Sequence, residues 1–127
     1  MKRVVITGLG AVTPVGNDIP AFWESLSNGR SGIGPITHFD ASGYKAQVAA
    51  EVKDFDITQY VDKMAAKRLD LFSQYAISAA QQAMDDSGLV CDPERLGVYI
   101  GSGIGGLSTM IREEEKLLKS GPGRVSP

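Results

Sequence analysis

The chain has 127 residues, which is the length of one ordinary domain. Hydrophobic residues make up 43% of it and charged residues 22%, and this balance excludes a disordered or fibrous protein. The formal net charge of −2 offers no concentrated basic surface for nucleic acid. A single cysteine excludes an internal disulfide framework, and a single histidine leaves little room for a metal site or a complete catalytic triad.

The first element is an apolar stretch over residues 2–9, whose β-branched composition predicts a buried strand. Signal peptides also place basic residues such as Lys2 and Arg3 before an apolar run, but Gly8 and Gly10 interrupt this run too early. No stretch approaches the about 18 apolar residues that a membrane span needs. We therefore expect a cytoplasmic protein with no membrane association.

The remaining elements follow from apolar periodicity and from glycine and proline positions. In chain order we predict a short helix over 20–26 that Asp18 or Asn17 could cap, a turn-rich segment over 29–43, a weak strand over 47–52 and no regular structure over 53–60. A long helix over 63–87, a strand over 95–100 and a helix over 107–119 follow. Strands alternating with helices indicate an α/β architecture. Two good strands are few for a sheet that stands alone, where about four to six are usual. The chain is therefore expected to be part of a larger fold.

The long helix over 63–87 is the most regular predicted element. Asp62 is suited to cap its start and Gly88 to end it. Small and apolar side chains recur at three- and four-residue spacings and predict one narrow face that packs closely against another element. The members of this face are Ala65, Leu69, Phe72, Ala76, Ala80 and Ala83.

A glycine-rich loop over 101–106 satisfies the pattern G-x-G-x-x-G through Gly101, Gly103 and Gly106. A dinucleotide site also needs an acidic residue about 20 residues later, whereas the glutamates at 113–115 come too early. We therefore predict no cofactor. The glycines instead favour close backbone approach around a cavity, with Ile104 projecting to gate an apolar pocket. Ordinary core packing of Ile104 is the alternative.

The two residues most often used as nucleophile and base occur once each. Cys91 lies beside Asp92, and an adjacent carboxylate disfavours the thiolate. His38 is a single loop histidine, which is more often structural than catalytic. The sequence therefore predicts no catalytic residue and no metal site within this chain.

Three cations, Lys63, Lys67 and Arg68, fall in the first turns of the long predicted helix. The helix dipole disfavours cations there by a few tenths of a kcal/mol, roughly. Their presence suggests an anionic partner that docks at this end. The alternative is an ordinary solvated face that nearby carboxylates neutralise. These carboxylates are Glu51, Asp62 and Asp70.

Several ordered motifs together carry a family resemblance. They are KRVVITGLG at 2–10, TPVGN at 13–17, GRSGI at 29–33, HFD at 38–40 and GSGIGGL at 101–107. In sequence and spacing they resemble the β-ketoacyl-acyl-carrier-protein synthases, and the isoleucine of the glycine loop and the HFD segment resemble synthase II more than synthase I. The likeness spans the whole chain but only about the first third of such an enzyme.

The resemblance implies a thiolase-like α/β/α/β/α fold with two similar halves, of which residues 1–127 form an N-terminal part without a second domain. In that family a cysteine accepts an acyl chain from acyl carrier protein, malonyl-carrier is decarboxylated with the help of two histidines, and the resulting carbanion attacks the thioester. All three catalytic residues lie beyond residue 127 in complete members. The resemblance also implies a homodimer in fatty acid synthesis.

Four residues of this chain match functional positions of the family. Lys67 and Arg68 match the carrier-docking patch, with Lys63 nearby, while Met64 stands where relatives often have another cation. Ile104 matches a residue near the acyl-pocket floor and the dimer interface. Two other interpretations stay open: a polyketide ketosynthase or its chain-length partner, and a non-catalytic fragment that binds carrier or forms an interface.

Overall fold

The computed structural model describes residues 3–126 of the chain. Its helices are α1 (Ile19–Ser27), α2 (Lys63–Ala66), α3 (Leu71–Ser87) and α4 (Leu107–Ser120), with single 3₁₀ turns at Ile57–Gln59, Pro93–Arg95 and Pro122–Arg124. A two-stranded antiparallel sheet consists of β1 (Ile33–Pro35) and β2 (Val48–Ala50), with Gly34 opposite Ala49. Within this described part, no helix is both long and apolar enough to cross a bilayer.

The predicted starts and ends of the helices are largely confirmed. Asp18 caps α1, accepting a hydrogen bond from the Ala21 N–H at 2.7 Å. Asp62 caps α2 in the same way. Gly88 ends α3 in the left-handed conformation, with φ of 56°. These signals act within one or two turns, so they need no distant partner.

The two main predicted strands, over 2–9 and 95–100, do not form in the described part of the chain; residue 2 lies outside it. Their apolar side chains are exposed instead, to 94% at Val4 and 97% at Tyr99. A strand is held by hydrogen bonds to a neighbouring strand, and no described residue pairs with either segment. The segment over 47–52 does contain a strand, β2, because β1 lies within reach across a short loop.

The N-terminal segment nevertheless packs closely on α3 through its glycines. A Cβ atom at Gly8 would overlap the carbonyl oxygen of Ala83, and one at Gly10 would overlap that of Ala79. The Leu9 N–H between them donates a hydrogen bond to Asp86 Oδ2 at 2.9 Å. The absence of side chains at positions 8 and 10 therefore lets the backbone lie directly against the helix.

The predicted long helix over 63–87 is in fact two helices. It breaks after α2, and Asp70 adopts an extended conformation with φ of −62° and ψ of 153° before α3 begins. Gln74 stabilises the break, since its Nε2 donates to the carbonyl oxygens of Ala66 at 3.2 Å and Leu69 at 2.9 Å. The apolar pattern runs without interruption through the break, so periodicity alone could not locate it.

The packed face of α3 also differs from the prediction. Ala80, assigned to the buried face, is exposed, whereas Ser78 is fully buried. Gln82 lies on the packed side as well, with its side chain bonded to the N-terminal segment. Apolar spacing cannot indicate a buried serine such as Ser78, nor a glutamine such as Gln82 whose side chain bonds to a distant loop.

Two buried serines make contrasting contributions to stability. The Ser25 hydroxyl donates to the Val15 carbonyl oxygen at 2.7 Å, whereas the Ser78 hydroxyl has no partner among residues 3–126. We expect Ser78→Ala to raise the free energy of unfolding by about 1 kcal/mol, because an unsatisfied buried hydroxyl is removed and alanine favours helix.

The matched control is Ser25→Ala, which breaks a satisfied bond and leaves the Val15 carbonyl without its donor. It should lower the free energy of unfolding by about 1 kcal/mol. Urea unfolding of the two variants, compared with the unsubstituted protein, measures both changes in the free energy of unfolding. A loss of stability in Ser78→Ala equal to that in Ser25→Ala would contradict the assignment.

Candidate functional site

The three predicted docking cations lie together at the junction between α2 and α3. Lys63 is the first residue of α2, Lys67 is its C-cap and Arg68 follows directly. All three side chains are exposed, as is Met64 on the same short helix. Among the described residues, none of the three cations forms an ion pair.

The carboxylates that could have neutralised this cluster are engaged elsewhere. Asp62 accepts hydrogen bonds from two backbone N–H groups of the first turn of α2. Asp70 accepts the Thr109 hydroxyl, and Glu51 accepts the N–H and hydroxyl of Thr37 at 3.0 and 2.7 Å. None of the three carboxylates therefore forms an ion pair with the cluster in the described structure, although each keeps its negative charge.

The helix dipole disfavours only one of the three cations. Because α2 ends at Ala66, Lys67 lies at its C-terminal end, where the dipole favours a cation. Only Lys63 occupies a first turn. What distinguishes the cluster is its exposure and its lack of close ion pairs rather than a conflict with the dipole. Hydrogen bonds from Thr58 lower the pKa of the Asp56 carboxyl, and Lys63 lies near enough to contribute to that lowering.

The glycine loop lies next to this junction and leads into α4. Its last turn is closed by a hydrogen bond from the Gly105 N–H to Ser102 Oγ at 3.0 Å, and Gly105 has φ of 76°. A residue with a side chain is strained at that φ, so glycine is required there. Ile104 precedes it, and its side chain is 70% exposed.

Asp70 joins the loop to the start of α3. Its carboxylate accepts the Thr109 hydroxyl, and a Cβ atom at Gly106 would overlap the same carboxylate. A cleft of about 160 Å³ lies between the two segments, lined in part by Phe72 and Leu107. The role of Asp70 was missed in the sequence, where it fell inside a predicted helix. Its position just before an apolar helical repeat is the signal that could have marked it as a helix start.

The structure also argues against dinucleotide binding at Gly101, Gly103 and Gly106. No strand precedes the loop in the described residues, and the Asp70 carboxylate already lies against Gly106 at the beginning of α4. A phosphate at this helix terminus would meet a negative charge.

The remaining two candidates lie apart from the basic cluster in sequence and in chemical setting. Cys91 is exposed between α3 and the turn at Pro93–Arg95. His38 is exposed and its Nε2 lies 3.9 Å from Glu51 Oε1. Its backbone N–H also donates to Glu51 at 3.3 Å, so this histidine belongs to the contacts that close the loop between β1 and β2.

Comparison with known proteins places these features in a family. The profile described as "Beta-ketoacyl synthase, N-terminal domain" matches residues 1–127. The chain belongs to the β-ketoacyl synthase family. This confirms the resemblance drawn from the motifs.

Three relatives indicate the branch of the β-ketoacyl synthases to which the chain is similar. Proteins named 3-oxoacyl-[acyl-carrier-protein] synthase 2 are 50% identical in Synechocystis sp., 49% in Vibrio harveyi and 46% in Staphylococcus aureus strain COL. Each match covers 99% of this chain and 31% of the relative. The chain thus spans about a third of the length of these curated β-ketoacyl synthases.

Solved ketosynthase structures confirm the α/β fold class. The ishigamide ketosynthase/chain length factor superimposes with a TM-score of 0.76 at 31% identity, covering 97% of this chain and 32% of that one. The apo AntDE:AntF complex, a type II PKS acyl-carrier protein with its ketosynthase bound to the hexaketide, gives 0.79 at 29% identity, covering 100% and 33%. The described part of the chain therefore follows the ketosynthase fold.

The contacts of Glu51 generate a pH prediction. Hydrogen bonds from Thr37 hold the pKa of the Glu51 carboxyl below its ordinary value near 4.5. A lowered folded-state pKa means that the carboxylate stabilises the loop above about pH 4.5, and that this stabilisation is lost as the pH falls through the folded-state value. We expect protection of the Thr37 amide against hydrogen exchange to decrease over that range.

Replacing Glu51 by Gln should reduce protection of the Thr37 amide at neutral pH and remove most of its acid dependence. The control is Glu24→Gln, which removes a carboxylate that contacts Arg30 and not Thr37. NMR hydrogen exchange measures both variants. Unchanged acid dependence in Glu51→Gln would contradict the assignment to this carboxyl.

Proposed function

We propose that this chain is the N-terminal part of a β-ketoacyl-acyl-carrier-protein synthase II that extends acyl chains in fatty acid synthesis. The observation that carries the proposal is the identity of 46–50% over 99% of the chain to proteins named 3-oxoacyl-[acyl-carrier-protein] synthase 2. The full protein would act as a homodimeric acyltransferase in the cytoplasm, without a cofactor.

The reaction proposed for the full protein is a decarboxylative Claisen condensation. An acyl group passes from the carrier thiol to an enzyme cysteine, malonyl-carrier loses CO₂, and the resulting carbanion attacks the acyl thioester and releases the cysteine. Cys91 does not suit the nucleophile, because it is exposed in the turn after α3, whereas an acyl chain is bound in an apolar pocket. The nucleophile and both histidines would come from residues outside 1–127.

The basic cluster of Lys63, Lys67 and Arg68 is the proposed docking surface for acyl carrier protein. Its three cations are exposed and without ion-pair partners in the described residues, so an acidic partner would meet unpaired charges. Complementary charge of this kind speeds association and selects the partner. Met64 adds an exposed apolar side chain within the cluster.

Ile104 is the proposed contribution of this chain to the acyl pocket. It is an exposed apolar side chain on a loop whose glycines keep the surrounding backbone free of side chains. On α4, which follows the loop, Met110, Ile111 and Leu118 are exposed as well. An acyl chain, a second subunit or both would cover these apolar surfaces in the full protein.

A polyketide ketosynthase or chain-length partner is the second candidate, because both solved relatives bear such descriptions. The residues that follow Pro127 distinguish the candidates, since a chain-length partner would lack the cysteine and a condensing enzyme would have it with two histidines. A non-catalytic carrier-binding fragment is the third. Calorimetric titration of the isolated chain with acyl carrier protein distinguishes it from an inert piece.

Charge reversal tests the docking surface. In the full-length protein, the double variant Lys67→Glu and Arg68→Glu should raise KM for acyl carrier protein about tenfold, which corresponds to about 1.4 kcal/mol of lost charge attraction. The catalytic groups lie elsewhere, so kcat should change little. Steady-state condensation kinetics at two salt concentrations provide the measurement.

The control reverses the charge of Lys119, which lies near the end of α4. It is about 15 Å along that helix from Thr109, the residue that contacts Asp70 beside the basic cluster. Lys119→Glu should leave KM for the carrier unchanged. Equal KM values for wild type and the double variant would favour an ordinary solvated face.

The isolated chain of residues 1–127 should have no condensing activity, because the proposed nucleophile is not part of it. Incubation with radiolabelled acyl-carrier followed by precipitation should leave no acyl label on the chain. Stoichiometric labelling that Cys91→Ser abolishes would refute the proposed division of the chemistry.

A further inference from the structure

Asp70 differs from every other aspartate that precedes a helix in the described structure. Asp18, Asp56, Asp62 and Asp92 each stand at an N-cap, and each side chain accepts a hydrogen bond from a backbone N–H of its own helical segment. Asp70 stands at the N-cap of α3, and its side chain makes no such bond. A side-chain cap stabilises the start of a helix, so α3 lacks a stabilisation that the segments after these four aspartates have.

The Asp70 carboxylate turns instead toward the start of α4. It accepts the hydroxyl of Thr109, which is 39 residues away in sequence. It also lies so close to Gly106 that a side chain there would require the carboxylate to move. The two contacts fix the beginning of α4 against the beginning of α3, although no other hydrogen bond in the described residues joins the two helices.

The contacts of Asp70 with α4 also restrict the glycine loop. Ile104 is two residues before Gly106, and Gly105 between them is held by its bond to Ser102 and lines the same cleft as Phe72. The loop is therefore supported from the α3 side at Gly106, next to the residue that follows Ile104. A shift of Asp70 or Thr109 would move the backbone that carries Ile104.

We infer that Asp70 and Thr109 are positioning residues that set the location of Ile104 and hence the acyl-chain selectivity of the enzyme. This inference rests on the proposed function for its substrate, an acyl thioester, and on the contacts above for its geometry. Asp70 acts through the loop and does not touch the acyl chain. Its position two residues after Arg68 also places this support directly beside the proposed docking surface.

The test compares Thr109→Val, which removes the hydroxyl at nearly constant volume, with Thr109→Ser, which retains it. In the full-length protein we measure hydrogen exchange over residues 101–106 and the ratio of kcat/KM for a long and a short acyl-carrier substrate. Thr109→Val should accelerate the exchange and change the ratio about fivefold, the factor that corresponds to one ordinary hydrogen bond. Thr109→Ser should restore both values.

One control variant and one substitute variant complete the test. Arg112 Nη2 also donates to the Thr109 hydroxyl, at 3.1 Å, and Arg112 Nε lies 3.5 Å from Glu113 Oε1. Arg112→Gln removes these two contacts but leaves the bond from Thr109 to Asp70, so exchange and selectivity should stay unchanged. Thr109→Ala replaces Thr109→Val should the latter fail to fold, since it removes the same hydroxyl without a branched side chain.

Wild-type exchange over 101–106 in the variants that lack the hydroxyl would overturn the inference. So would an unchanged selectivity ratio alongside accelerated exchange. A wild-type protein with no condensing activity would refute the proposed function instead, and the exchange data alone would then decide whether Asp70 and Thr109 position the loop.

Discussion

The side-chain amide of Gln82 holds the first part of the described chain to α3. Its Oε1 accepts the Ala11 N–H at 3.0 Å, and its Nε2 donates to the Asn17 carbonyl oxygen at 2.7 Å and lies 3.3 Å from the Tyr60 hydroxyl. One residue thus fixes the N-terminal segment, the residue before the cap of α1 and the turn that precedes α2. The placement of α1, and of the chain leading to the basic cluster, depends on this bidentate contact.

From α3 the two proposed functional regions extend in different ways. The basic cluster is attached through backbone continuity and Gln74, while the glycine loop is attached across space through Asp70. Both attachments are polar and specific in direction, which suits regions that must keep a fixed geometry while exposed to solvent. Apolar packing contributes little to the attachment of these two regions, because the buried hydrophobic side chains of the described part are only Ala41, Ile57 and Ala66.

The sequence could predict what is decided locally. Caps at Asp18 and Asp62, the end at Gly88 and the helix over 107–119 needed only neighbouring residues, and they are confirmed with boundary shifts of about one residue. The strand over 95–100 is absent because its pairing requires a neighbour that the described residues do not supply. The break before α3 could not be predicted, because the apolar periodicity continues through it and Gln74, which stabilises it, bonds to backbone carbonyls that periodicity does not reveal.

The candidate site divides along the same line. Charge at the start of a predicted helix pointed to Lys63, Lys67 and Arg68, and the glycine loop pointed to Ile104. The family match confirmed the β-ketoacyl synthase family that the motifs resemble. The carboxylates that leave the cations unpaired could not be assigned from sequence, because each was equally able to pair with a lysine or to bond a nearby backbone. The functional roles of the three cations and of Ile104 stay predictions.

The tight contact between Asp70 and Gly106 has an evolutionary consequence. Any side chain at position 106 requires the Asp70 carboxylate to move. The effect of a substitution at position 106 therefore depends on which residue occupies position 70. Sequence drift in this part of the protein should proceed in paired steps, and an aspartate at position 70 should accompany glycine at position 106.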